Sequence, residues 1–279
     1  MSANTELMWL QRQHPHPLDA RIRFEEGPHL YYIDGVNNNV SVTTFIHQFF
    51  PEFEADKIIG KMRRSSRWEN SPYYGMTNQE IKDQWEAKRD KASKEGTRLH
   101  YDIELFYNNI MPDNNSVEYG YFQKFHKDQI LEKGLIPYRT EWVVFDTDYG
   151  LAGSIDMIFK VGNGNGNGNG NGNGNGNGND NRLVIYDWKR CTQIIKNNRF
   201  DTGKPPVEHL PDSNFWHYAL QLNMYRFILQ KNYGKTVEGL FLVCLHPEQK
   251  SYVQVSVPFM DDEIMDLLQV RKLQLGGVA

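Results

Sequence analysis

The sequence predicts an α/β (α+β) fold, a β-sheet flanked by helices, and three observations carry this. Apolar runs of strand length recur in the second half: EWVVFD from Glu141, LAGSIDMIF from Leu151, LVIYDWK from Leu183, GLFLVCLH from Gly239 and SYVQVSV from Ser251. Amphipathic helical patterns alternate with them, most clearly in NFWHYALQLNMYRFILQKNYG from Asn214. The chain has 279 residues, 39% of them hydrophobic, enough for a real core in one large or two small domains.

Taken in order, residues 1 to 20 are polar, contain His-Pro-His-Pro and read as a loose lead-in. RIRFEE and HLYYID, separated by Gly27-Pro28, read as a hairpin. Ser41 or Thr43 can cap a short helix that ends before Pro51. Helices are expected over 57–68 and 78–94, with Trp68, Ile81 and Trp85 as apolar marks. A new helix is expected to start at Gly96-Thr97 and run through TRLHYDIELFYNN. Residues 117–133 form a further amphipathic segment with Tyr121, Phe122, Phe125 and Ile130 inward. Gly150 marks a tight hairpin between the first two core strands. In the helix from Asn214, that residue is placed as the cap, Gly234 as the end, and Phe215, Leu222, Tyr225 and Leu229 inward. A last helix covers about 261–273. The resulting division is an N-terminal hairpin and helical region, 1–95, packed on a core of 96–279.

From Gly162 to Asn179 the chain repeats Asn-Gly. Such a tract buries nothing, so it is expected to be a flexible, expanded hairpin loop between neighbouring strands. No helix follows it, which excludes a dinucleotide-binding glycine loop. Gly234-Lys235-Thr236 likewise lacks the upstream glycine of a phosphate-binding loop, so no ATP is expected.

Net charge is −4, so no global basic field advertises nucleic acid, although lysine and arginine cluster over 57–67, 82–98 and 189–199. Two cysteines, Cys191 and Cys244, argue against a disulfide framework or a four-cysteine cluster. The N-terminus lacks the apolar core of a signal peptide, and no stretch is long enough to span a membrane. An intracellular, reducing location is expected, with cytoplasm, nucleus and organelle unresolved.

The chemistry centres on Glu141 to Lys189. Asp156 lies inside an apolar run, and Asp187 leaves the run VIY together with Lys189, two residues on and on the same strand face. Charges delivered from a core strand are seldom buried unless paired or bound to metal. Two carboxylates and an ammonium suit a hard divalent cation and a phosphate. His100 and Glu104 are four apart and share a helix face, as a surface pair or as a ligand with an acid/base group. His217, Gln221 and Tyr225 form a similar stripe, either a polar helix edge or a contact to nucleic acid.

In this order, GTRLH, Glu141, GSID, DWK and QLNMY resemble the PD-(D/E)XK nuclease superfamily, in particular its RecB-like and lambda-exonuclease-like branch. The likeness covers about 96–257; a stand-alone exonuclease of phage, mitochondrial or large-virus type is nearer than a helicase-linked one. It implies a restriction-endonuclease-like core with a central mixed β-sheet. It implies a metal-dependent exonuclease acting on single- or double-stranded DNA ends in repair, recombination or replication. Asp156, Asp187 and Lys189 would be catalytic. Mg²⁺ or Mn²⁺ would be held by His100, Asp156, Asp187 and a main-chain carbonyl near Trp188, with Glu104 or Glu141 supporting a second metal. Gln221, Tyr225, Arg98 and Arg190 would hold nucleic acid. The Asn-Gly tract departs from the pattern, and with two cysteines no iron–sulfur cluster is expected. The competing expectations are an inactive nucleic-acid-binding relative, a hydrolase of small phosphoesters, and a scaffold. DNA against RNA, polarity, exo against endo action and oligomeric state stay open at this stage.

Overall fold

The computed structural model describes residues 7–162 and 182–276. The fold is α+β, with a six-stranded mixed sheet flanked by helices. Before the sheet come α1 (Trp9–Gln13) and the hairpin β1 (Ile22–Glu25) and β2 (Leu30–Ile33), antiparallel as its sequence reads. Next are β3 (Val40–Ser41) and α2 (Val42–His47), whose N-cap is Ser41, its hydroxyl accepting from the Thr44 N–H. They are followed by α3 (Ala55–Arg63), α4 (Asn78–Tyr107) and α5 (Val117–Phe125). The sheet proper is built from β4 (Ile136–Asp146), β5 (Leu151–Lys160) and β6 (Arg182–Lys189), then α6 (Asn214–Asn232), β7 (Thr236–Cys244) and β8 (Val253–Val257). α7 (Asp261–Gln274) ends the fold.

β5 lies next to the edge strand β4. It pairs antiparallel with β4 on one edge and with β6 on the other, where the short β3 also lies parallel to its start. β6 pairs parallel with β7, and β7 antiparallel with β8, so the sheet is mixed. β5 and β6 are neighbours, as the two flanks of the Asn-Gly tract predict. The tract beyond Gly162 lies outside the described residues.

Strand alternation divides the core in two. One face buries Val144, Ile158, Leu183, Ile185, Leu240 and Leu242 against α2, α6 and α7. The other buries Met157, Phe159, Tyr186 and Trp188 against α4, α5 and Leu10 of α1. Successive residues of one strand thus serve both layers, which is why β5 and β6 read as continuous apolar runs.

Four expectations are corrected. The helix through His100 does not begin at Gly96: α4 is one helix of 30 residues, opened by a capping box of Thr77 and Glu80. A glycine inside a helix costs about 1 kcal/mol and does not stop it, so the 95/96 boundary falls within a single element. The segment 117–133 changes at His126 from α-helix to a π-helical turn through Leu131. Asn214 does not cap α6; Ser213 occupies that position, and the Asn214 side-chain Oδ1 accepts from the Ile195 N–H instead. The polar lead-in is fastened. Arg139 is 3% exposed on β4, and its guanidinium reaches Asp19 at 2.9 Å and the His14 carbonyl at 2.9 Å. Trp142 Nε1 donates to the same Asp19 carboxylate.

Candidate metal centre

Three neighbouring strands bring three carboxylates into a row. The β4–β5 register runs Thr140↔Met157 and Trp142↔Ile155, which sets Glu141 opposite Asp156. The β5–β6 register ends at Met157↔Tyr186, and one step further Asp156 stands opposite Asp187. Opposite residues on antiparallel strands share a face. Glu141 has φ +42°, a left-handed conformation rare for a side-chain-bearing residue and typical of strain held at functional sites.

α4 supplies the imidazole from the other layer. His100 Nε2 donates to the Trp188 carbonyl at 2.9 Å. Its Nδ1 then faces Asp156 Oδ2 at 3.6 Å and Glu141 Oε1 at 3.8 Å. One ligand atom from each of His100, Glu141 and Asp156 lies within 4.8 Å of the others. An imidazole whose second nitrogen is fixed by a backbone carbonyl is the usual support of a metal-binding histidine. The Trp188 carbonyl is thus engaged by His100, where the resemblance had it among the ligands. The Trp188 N–H donates to Asp156 Oδ2 at 2.9 Å, so the backbone of one β6 residue orients both side chains.

Asp187 is 2% exposed and lies outside the 4.8 Å group. Its Oδ2 is 2.7 Å from Lys189 Nζ, and the ammonium also sits 4.5 Å from the centre of the Tyr218 ring. Ser154, inside GSID, donates to Glu141 Oε2 at 2.8 Å.

The electrostatics follow from crowding acids in a buried place. Burial pushes Asp187 up to about 6 against the pull of Lys189, with Asp156 adding to the rise. Burial also raises Asp156 from its ordinary value, against His100. Burial alone would lower His100, but Asp156 and then Glu141 outweigh it and bring it up to about 9. Lys189 is likewise raised: burial opposes the charge, and Asp187 and Asp156 more than restore it. Glu104 is pushed up to about 8 by burial first, then by Glu141 and Glu26. Opposed charges that raise a base and desolvation that raises acids mark a candidate functional site.

The other sequence-nominated residues divide. Tyr225 is 2% exposed, so its ring is packing and not a stacking surface; Gln221 Nε2 donates to its hydroxyl at 3.3 Å. Arg190 Nη2 lies 2.7 Å from both Glu95 and Glu118, strapping α4 and α5 to the end of β6. Arg98 Nε donates to Asp102 Oδ2 at 2.8 Å, with 60% of its side chain exposed. Cys191 and Cys244 are free thiols with their sulfurs 3.3 Å apart. Sequence reasoning missed Ser154 and gave Glu141 only a supporting place. The serine in GSID is the one signal that pointed there.

No protein-family model matches the chain, and no curated protein matches it. Among solved structures it is similar to a candidate exonuclease from Eubacterium rectale, at TM-score 0.36 and 11% identity over 85% of this chain and 79% of that one. It is also similar to SSO0001, at TM-score 0.32 and 12% identity over 98% and 87%. Likenesses at this level say nothing of the site's chemistry. Among the described residues no helix is long and apolar enough to cross a membrane.

Proposed function

We propose that this chain is a metal-dependent nuclease of the PD-(D/E)XK type, hydrolysing phosphodiester bonds in DNA and acting as an exonuclease in repair, recombination or replication. The observation that carries the reading is the convergence of His100, Glu141 and Asp156 within 4.8 Å, beside Lys189 on the adjacent strand end.

The donor set fits a divalent cation. Carboxylate oxygens with one imidazole suit Mn²⁺, and Mg²⁺ where waters and substrate phosphate complete the shell. Glu141, Asp156 and His100 would hold the ion, and Asp187 stands next in the row. When bound, such an ion supplies an activated water and charge neutralisation at the phosphate.

The chain's own residues do the rest. Trp188 fixes His100 through its carbonyl and Asp156 through its N–H. Ser154 fixes Glu141. Lys189 is kept as an ammonium by Asp187 and Asp156, so it serves as a fixed cation where negative charge develops on the phosphate. Its aliphatic stem is largely buried, with 18% of the side chain exposed, which limits its conformational freedom.

Titration calorimetry with Mn²⁺ on the wild type and on Asp156→Asn tests the assignment. Binding in the wild type that is at least tenfold weaker in the variant supports it; equal binding removes it.

A further inference from the structure

Five aromatic rings gather around α3 and the first half of α4. Trp85 is flanked by Phe53 at 5.7 Å and Tyr73 at 5.9 Å, and Trp68 meets Tyr74 at 6.2 Å. Arg63 lies over Trp68 at 4.9 Å and Lys88 over Tyr73 at 5.9 Å. The two helices bury Ile59 and Ile81, whereas Phe53 stays 71% and Tyr74 57% exposed. An outward-facing ring group interleaved with cations is poor packing but a good base-stacking surface.

The cluster and the metal centre share α4, which carries both Trp85 and His100. Lys88 also lines a groove of about 1030 Å³ whose walls include Leu99 and Arg190, the chain neighbours of His100 and Lys189. Trp85, Lys88, Ala92 and Leu99 follow one stripe of α4, three, four and seven residues apart. From Trp85 to His100 the helix rises roughly 22 Å at 1.5 Å per residue. Five cationic side chains line the groove against four carboxylates, and two of those, Glu95 and Glu118, are engaged by Arg190. Neither Lys88 nor Lys94 forms an ion pair among the described residues, which leaves both for phosphate.

We propose that the aromatic cluster and this groove bind single-stranded DNA and lead it to the metal centre, so that the substrate is a single strand or a single-stranded tail. The destination rests on the nuclease reading; the binding does not. In an intact duplex the bases stack on one another, and the rings could meet only sugar and phosphate. In a single strand every base has a free face for Phe53 or Tyr74.

Fluorescence anisotropy in EDTA, with the full chain, a labelled oligo-dT and a blunt duplex of equal length, tests this without any cleavage. The single strand should bind about tenfold or more tightly than the duplex. Phe53→Ala/Tyr74→Ala should weaken it by roughly 10- to 100-fold, the range of base-stacking losses. Lys88→Ala/Lys94→Ala should flatten the salt dependence by about two phosphate contacts. Equal affinity for both probes, or unchanged binding by the aromatic variant, overturns the proposal. If single-strand binding behaves as stated but Mn²⁺ gives no cleavage, only the nuclease reading fails. If Mn²⁺-dependent cleavage stands while the aromatic variant binds normally, only this proposal fails.

Discussion

The ring of Tyr225 occupies the place a side chain on Gly153 would take: a Cβ there would stand 2.7 Å from both Cε1 and Oη of the tyrosine. The glycine of GSID and the tyrosine of QLNMY are therefore one fitted contact between β5 and α6. Gly153→Ala should cost about 1–3 kcal/mol by overpacking. Denaturant unfolding of Gly153→Ala, alone and combined with Tyr225→Leu, checks this. The penalty should shrink in the double variant; a neutral single variant would show that the contact relaxes freely.

Metal binding should depend on pH through His100. The imidazole is held protonated up to about 9 in the metal-free protein, and a metal must displace that proton. The rise in Tm produced by Mn²⁺ should grow between pH 7 and 9, and should be small in His100→Ala at every pH. A rise that is flat across this range in the wild type would separate His100 from the ion.

Glu104 should make the metal-free protein less stable in alkali. Its folded value is raised to about 8, so the folded state holds a proton that the unfolded chain has already lost. Stability from this group is present below the unfolded value, near 4.5, and is lost as pH rises through about 8. His100 adds in the same direction, since a base raised to about 9 contributes below 6.5 and loses that contribution through 9. Thermal melts from pH 5 to 9.5 should fall, and should fall less in Glu104→Gln.

Asp19 should matter far more than its place in a polar lead-in suggests. Removing its carboxylate leaves the 3%-exposed Arg139 guanidinium without its counter-charge. Breaking a buried pair by deleting one partner costs about 3–5 kcal/mol. Asp19→Ala should lower Tm by several degrees without altering Mn²⁺ affinity at temperatures where it is folded.

The parts of this account legible in sequence are those set by local pattern. Apolar runs of strand length located β4 to β8, and Asp187 and Lys189 two apart had to share a face. His100 was found by its spacing to Glu104 and by the motif order. The rest depended on contacts between distant segments. Nothing local shows that Glu141 adopts a positive φ opposite Asp156, that the Trp188 backbone serves both His100 and Asp156, or that Arg139 draws Asp19 inward. Tyr225 reads both as an inward residue and as a nucleic-acid contact, because a tyrosine on a polar stripe reads the same whether it faces solvent or a glycine. Gly96 read as a helix start because a glycine breaks the pattern more than it breaks the helix.

The most direct test is a gel assay on end-labelled single- and double-stranded DNA with Mg²⁺, Mn²⁺ or EDTA, run beside Lys189→Ala. The nuclease account predicts metal-dependent shortening that EDTA abolishes and that falls by about 10²-fold or more in the variant, the range for losing a fixed charge at the reacting phosphate. It predicts that the variant still shows the Mn²⁺-induced rise in Tm. Cleavage by Lys189→Ala at the wild-type rate, or none by wild-type protein that is folded and binds Mn²⁺, would contradict it.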